Sequence, residues 1–75
     1  STRVDLGAAG SVLLSVRSGI LGVERVDAAT GWSLERIEAG GRDVEVRLRN
    51  GDGEARLEAS LADGRVVPRV RTKQH

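Results

Sequence analysis

The chain has 75 residues, which is room for one small domain spanning 1–75 and no more. It has no cysteine, so neither a disulfide nor a thiolate metal site can reinforce it, and a formal charge of +1 offers no field for nucleic acid. A single aromatic residue, Trp32, is too few for a base-stacking platform, and the longest apolar run, residues 12–14, cannot span a membrane.

Twenty residues are Val, Ile or Leu, above the level of a disordered chain. Eleven Arg against one Lys, with abundant Ala, Gly and Val, resembles the codon bias of a GC-rich bacterial genome. Ser1 is not an initiator Met, so a mature form or a fragment of a longer protein is expected.

Residues 8–18 carry two periodicities. As a helix they present Val12, Leu13, Val16 and Ile20 on one stripe; as a strand they present Val12, Leu14 and Val16 on one face. Gly7, Gly10, Gly19 and Gly22 count against a long helix, each by roughly 1 kcal/mol. Burial decides for the helix: the strands that follow have one apolar face, and something must cover it. Residues 21–26 then lead into the sheet, and Asp27-Ala28-Ala29-Thr30-Gly31 makes a turn.

Residues 32–38 fit a short helix capped by Ser33 and stopped by Gly40, or a strand. The strand is favoured because it extends the meander. Joined by Ala39-Gly40-Gly41, it sets Trp32 opposite Leu48, Leu34 opposite Val46 and Arg36 opposite Val44. Ile37 is then out of phase, so a bulge or bend is expected near 36–37.

Residues 43–49 and 54–61 alternate cleanly, with Val44, Val46 and Leu48, then Ala55, Leu57, Ala59 and Leu61, on the apolar side. Asn50-Gly51-Asp52-Gly53 and Ala62-Asp63-Gly64 are hairpin turns. Two-residue loops at 51–52 and 63–64 pair Leu48 with Ala55, Val46 with Leu57, Leu61 with Val66 and Leu57 with Val70. Shifting either hairpin by one residue would oppose apolar and charged side chains. Arg47 then faces Arg56 and Glu45 faces Glu58, with the diagonals Arg47–Glu58 and Glu45–Arg56 expected to compensate. Pro68 sits where its missing N–H points outward, which makes residues 65–70 a sheet edge. Residues 72–75 are expected to fray.

The sequence therefore predicts an α+β domain: an antiparallel β-meander of three to five strands whose one apolar face is covered by an N-terminal helix. The alternative is an all-β meander of six strands, covered by a second sheet or by a partner chain. Residues 31–67 resemble the small bacterial PepSY domain, in which a helix packs on a three-stranded meander. The resemblance rests on Val44, Val46, Asp52-Gly53 and Ala62-Asp63-Gly64-Arg65-Val66-Val67. It implies an extracytoplasmic module that binds or inhibits a partner, often a peptidase, without catalysis of its own.

No residue set is spaced for catalysis, and no cofactor is implied. His75 is the only histidine and stands at the terminus, where nothing orients it. Asn50, Asp52 and Glu54 open like a calcium loop, but Ala55 and Leu61 stand where that loop needs Gly and Glu. Gly51-x-Gly53 and Gly7-x-x-Gly10 read as turns, not phosphate loops.

The candidate partner-binding residues are Trp32, Arg65, Val67, Arg69 and Arg71. Trp32 is either a core residue or a partner anchor. The basic strand, ending in Lys73, serves either to resist aggregation at an edge or to receive an acidic partner. The expected function is a non-enzymatic protein-interaction or regulatory module, binding a protein partner through that edge strand or through the apolar face. The alternative is a structural domain that forms a symmetric homodimer through its sheet.

Overall fold

Seven strands and one 3₁₀ turn account for almost the whole of residues 1–73, which the computed structural model describes. They are β1 (Thr2–Asp5), the 3₁₀ turn Gly7–Ala9, β2 (Gly10–Arg17), β3 (Ile20–Ala28), β4 (Ser33–Ala39), β5 (Asp43–Asn50), β6 (Gly53–Ala62) and β7 (Arg65–Lys73). They form two antiparallel sheets, β1-β2-β3 and β4-β5-β6-β7. Each sheet is an up-and-down meander, and the chain passes from one to the other between β3 and β4.

The expected α+β architecture is overturned: no α-helix forms among the described residues, and 8–18 lies in the 3₁₀ turn and β2. The reason is local as much as global. Ser18 and Gly19 both have positive φ, the signature of a primed two-residue hairpin turn, so β2 folds straight back onto β3 with Arg17 opposite Ile20. Gly10, at φ +121°, has a backbone conformation that no helix contains. With period two, Val12 and Leu14 are fully buried and Val16 lies at the open end. The cover that the meander required is supplied by a second sheet. The six-strand alternative also differs from the structure, which has seven strands divided between two sheets.

The core lies between the sheets. Val4, Leu6, Val12, Leu14 and Leu21 from the first pack with Val44, Val46, Leu48, Ala55, Leu57 and Ala59 from the second. Val23, Val26, Trp32, Leu61 and Val66 close its margins. The seam between β3 and β4 is fastened at both ends. At one end Trp32 N–H donates to Ala29 O (2.9 Å), Ala29 itself being tied to the first sheet through Ala9 O (2.9 Å); at the other Leu21 N–H donates to Gly41 O (2.7 Å).

The second meander has the register its sequence implies at both later hairpins. Leu48 pairs with Ala55, Val46 with Leu57, Leu61 with Val66 and Leu57 with Val70. The first hairpin of that sheet is shifted. Leu34 pairs with Leu48, Ile37 with Val46 and Ala39 with Val44, while Trp32 precedes the strand. The bulge is one residue earlier than expected, at Glu35, between Leu34 and Arg36. It returns Ile37 to the apolar face and sets Glu35 beside Arg36 on the opposite one. β3 has a comparable bulge at Glu24, between Val23 and Arg25. Thr72 and Lys73, placed by the sequence in a frayed tail, pair with Ala55 and Glu54 in β7. His75 lies outside the described residues.

Gly10 marks the tightest backbone approach. A Cβ there would stand 2.0 Å from Asp27 O and 2.9 Å from Ala29 N, in addition to the strain of φ +121°. Gly19 has positive φ too, but open space around it. Gly10→Ala is therefore expected to destabilise by about 2–4 kcal/mol, and Gly19→Ala by about 1 kcal/mol. Urea unfolding of the two variants checks the difference; equal losses would mean that the close approach at Asp27 carries no weight.

Candidate functional site

Strand alternation that buries one face of β4–β7 must turn the other face to solvent, and that face is charged. Pairing across the four strands sorts it into rows. Arg36, Arg47, Arg56 and Arg71 stand in line, one per strand. On one side of them runs Glu38, Glu45, Glu58 and Arg69; on the other runs Ser33, Arg49, Glu54 and Lys73.

Arg47 and Arg56 face each other directly, a repulsive pair in isolation. The compensation differs from the expected diagonals. Glu54 approaches both, at 3.8 Å from Arg47 Nε and 3.6 Å from Arg56 Nη2, and also Arg49 Nη2 at 3.4 Å. Arg47 further meets Glu35 (3.5 Å) and Glu45 (3.4 Å). The right-handed twist brings one diagonal closer than the other, which favours Glu54 over Glu58. Bulged Glu35 bridges Arg47 and Arg49, and its ion pair with Arg49 is the tighter of the two. Arg49 donates to Glu35 and so holds its carboxyl below the usual glutamate range; Glu35 in turn raises the Arg49 guanidinium. The Nε atoms of Arg47 and Arg56 are buried without a hydrogen-bond acceptor, so this cluster is tied by charge more than by hydrogen bonds.

At β7 the neutralisation stops. Among the described residues, Arg65, Arg69, Arg71 and Lys73 have no carboxylate within ion-pair distance. Together with Val67, which is exposed, they occupy alternate positions of one strand and share its outer face. Four of the five candidate residues are thus collected in one column. Trp32 is separate. It is half-buried against the core, and its Cη2 lies close to Gly53, 3.6 Å from where a Cβ would stand. Gly53 and Arg65 lie at opposite ends of β6, about 30 Å apart at strand spacing. Trp32 therefore serves the core and the β5–β6 corner, where the backbone of Lys73 also approaches Gly53, so it lies near the last residue of the basic column and far from Arg65.

The backbone of β7 adds what residue types alone missed. Asp63 and Gly64 both have positive φ, so Ala62 and Arg65 form the hydrogen-bonded pair that closes the hairpin. Alternate pairs follow the same rule, so Val67, Arg69, Arg71 and Lys73 bond toward β6. The groups of Val66, Pro68, Val70 and Thr72 face outward, where no eighth strand covers them. Pro68 interrupts that edge by lacking a donor. Val66, Val70 and Thr72, not Val67, are the residues whose N–H groups are open to a partner. The signal was available in the length of the turn at 63–64.

An open groove on the outer face is lined by Glu38, Asp43, Glu45, Glu58, Ser60 and Arg69. Among the described residues, no three carboxylates or histidines converge as a metal site, and no helix is long and apolar enough to cross a membrane. Asn50 and Gly53 pair across the Gly51-Asp52 turn, so the residues read as a possible calcium-loop opening form a hairpin corner. No family model, curated protein or solved structure matches this chain.

Because the folded-state pKa of Glu35 is lowered, its pairing stabilises the fold above the ordinary glutamate range and is lost as pH falls through the lowered value. Glu35→Gln is therefore expected to lower the melting temperature at about pH 6, with the difference from the parent shrinking as pH falls below the ordinary glutamate range. Thermal melts across that range check it. A difference between the proteins that is constant with pH would exclude this linkage.

Proposed function

We propose that this protein is a non-enzymatic binding module that takes an extended, acidic segment of a protein partner onto β7 by strand addition. The observation that carries the reading is the uncompensated column of Arg65, Arg69, Arg71 and Lys73 beside an uncovered strand edge. The other arginines of the sheet's outer face, on β4, β5 and β6, have carboxylates beside them. A strand added next to β7 would extend each row by one residue. Acidic side chains in alternate positions would complete the rows ending in Arg69, Arg71 and Lys73.

Pro68 sets where the partner lies. It withholds a donor in the middle of the edge, so continuous pairing is possible only over residues 69–73. Strand addition supplies affinity through main-chain bonds, and the cation column supplies the choice of partner.

The test uses an eight-residue peptide alternating Glu and Val, with a Lys-and-Val peptide as control. The acidic peptide is expected to bind with strong salt dependence and to slow amide exchange at Val70 and Thr72. Arg69→Glu combined with Arg71→Glu is expected to weaken it at least tenfold, a change of about 1.4 kcal/mol. Val70→Pro removes only an outward N–H and is expected to abolish binding while the sheet stays folded. A folded Val70→Pro variant that binds like the parent would exclude strand addition at β7.

A further inference from the structure

Each strand of the molecule runs antiparallel to the next one along the chain. β1 to β3 pair in order, and so do β4 to β7. β3 meets β4 through the Leu21–Gly41 bridge, which is antiparallel as well. Among the described residues, no bridge joins the two strands that remain, β1 and β7. Antiparallel alternation around a closed ring needs an even number of strands, and this chain has seven. β1 and β7 therefore run in the same direction, both away from the end that carries the Leu21–Gly41 bridge.

The free side of β1 matches that of β7. Leu6 N–H donates to Gly10 O (2.8 Å), which fixes the alternation along β1. Thr2 and Val4 bond toward β2, and the N–H and C=O of Arg3 and Asp5 face outward. Val4 is buried, so Arg3 turns its side chain to the outer face. Among the described residues, Arg3 has no carboxylate within ion-pair distance, like Arg69 and Arg71. Asp5 does not neutralise it, since its Oδ1 accepts from Gly7 N–H (2.8 Å) within its own turn. On the inner face Val70 is 42% exposed, although it pairs with fully buried Leu57.

We infer that the acidic segment lies between β7 and β1, antiparallel to both, and closes the ring as its eighth strand. The inference rests on the proposed capture at β7 and adds a second edge and an inner face to it. The outer side chains of the segment lie between Arg69 and Arg71 on one lip and Arg3 on the other, so each carboxylate there is flanked by cations from both sheets. Its inner side chains meet Val70 and must be apolar, because they take the place of a missing core strand. Two ladders of main-chain bonds hold it instead of one, with donors at Val70 and Thr72 on β7 and at Arg3 and Asp5 on β1. Direct pairing of β1 with β7 would be parallel and would bring Arg3 against Arg69 and Arg71. A second copy of this chain offering its β7 would add its own cations to lips that are already positive.

The test titrates the Glu-and-Val peptide into the intact chain and reads amide exchange residue by residue. Protection is expected at Arg3 and Asp5 as well as at Val70 and Thr72. Arg3→Glu is expected to weaken binding about tenfold, and Arg3→Pro, which removes only an outward N–H, by a similar factor. Arg17→Glu makes the same change in net charge at the bridge end of β2 and is expected to stay within about twofold of the parent. A Glu-and-Ser peptide keeps the charge and loses the apolar inner face, and is expected to bind about tenfold more weakly. Circular dichroism confirms that each variant is folded. Protection confined to Val70 and Thr72, with Arg3→Glu no weaker than Arg17→Glu, would overturn the closure and leave strand addition at β7 standing. Equal binding of the Glu-and-Ser and Glu-and-Val peptides would overturn the closure as well. A parent that binds neither peptide would overturn both readings.

Discussion

Everything in this molecule depends on one closure: two sheets, each apolar on one side only, must bury those sides against each other. A chain of 75 residues without cysteine has no other means of excluding water from Val12, Leu14, Val46, Leu48 and Leu57. The number of strands then fixes what is left over. Three strands cannot cover four, so the central strands β5 and β6 are sealed, β7 extends beyond the cover, and β4 meets β3 at Gly41 while its apolar side chains stay partly exposed. Leu34, Ile37 and Val70 stay exposed although they lie in phase with fully buried neighbours. The surface on which a partner could act is a consequence of that mismatch. β7 is an edge of the larger sheet and joins open backbone to a partly exposed apolar side chain.

The outer face shows how such a sheet tolerates dense charge. Four arginines aligned across four strands would repel if each met only its direct neighbours. Glu54 and Glu35 lie between them, and each serves more than one guanidinium. Exposed ion pairs are individually worth little, so their contribution is better seen as register: a slip of one residue would carry the arginines to the apolar face. The bulge at Glu35 is part of this arrangement. It puts a second acidic or basic residue on the outer face beside Arg47 and at the same time returns Ile37 to the inner side.

The second half of the chain was legible because its signals agree. Alternation, two-residue turns at 51–52 and 63–64, and a proline at an outward position all specify the same pairing. At β4 the alternation breaks, and the break was read one residue late. Leu34-Glu35-Arg36-Ile37 gives no local sign of which polar residue is the extra one; that is decided by Glu35 reaching Arg49 across the strand. The first half failed for a different reason. Residues 12–16 satisfy helix and strand periods equally, and the choice rested on the need for a cover, which a sheet meets as well as a helix. Ser18-Gly19 could have decided it, but a serine with positive φ is not a residue that announces a primed turn. The basic column at β7 was visible as residue types, whereas the open donor at Val70 required the pairing parity.

The two edges also explain how an exposed sheet of this kind can avoid uncontrolled growth. An edge that pairs with a different edge of its neighbour propagates without limit, whereas an edge that pairs with itself stops at two. β7 resists its own kind, since an antiparallel copy would bring Arg69 and Arg71 face to face, and Pro68 breaks its ladder of donors. β4 lacks both defences, having alternating charge, a central isoleucine and every donor present. An undefended edge beside a defended one is informative because the same sheet carries both. Selection against aggregation would act on β4 as strongly as on β7 if β4 were left bare in solution. The contrast is accounted for by β3, whose Leu21 bridges Gly41 at the end of β4, so that β7, with its charge and its proline, is the edge that remains to be protected.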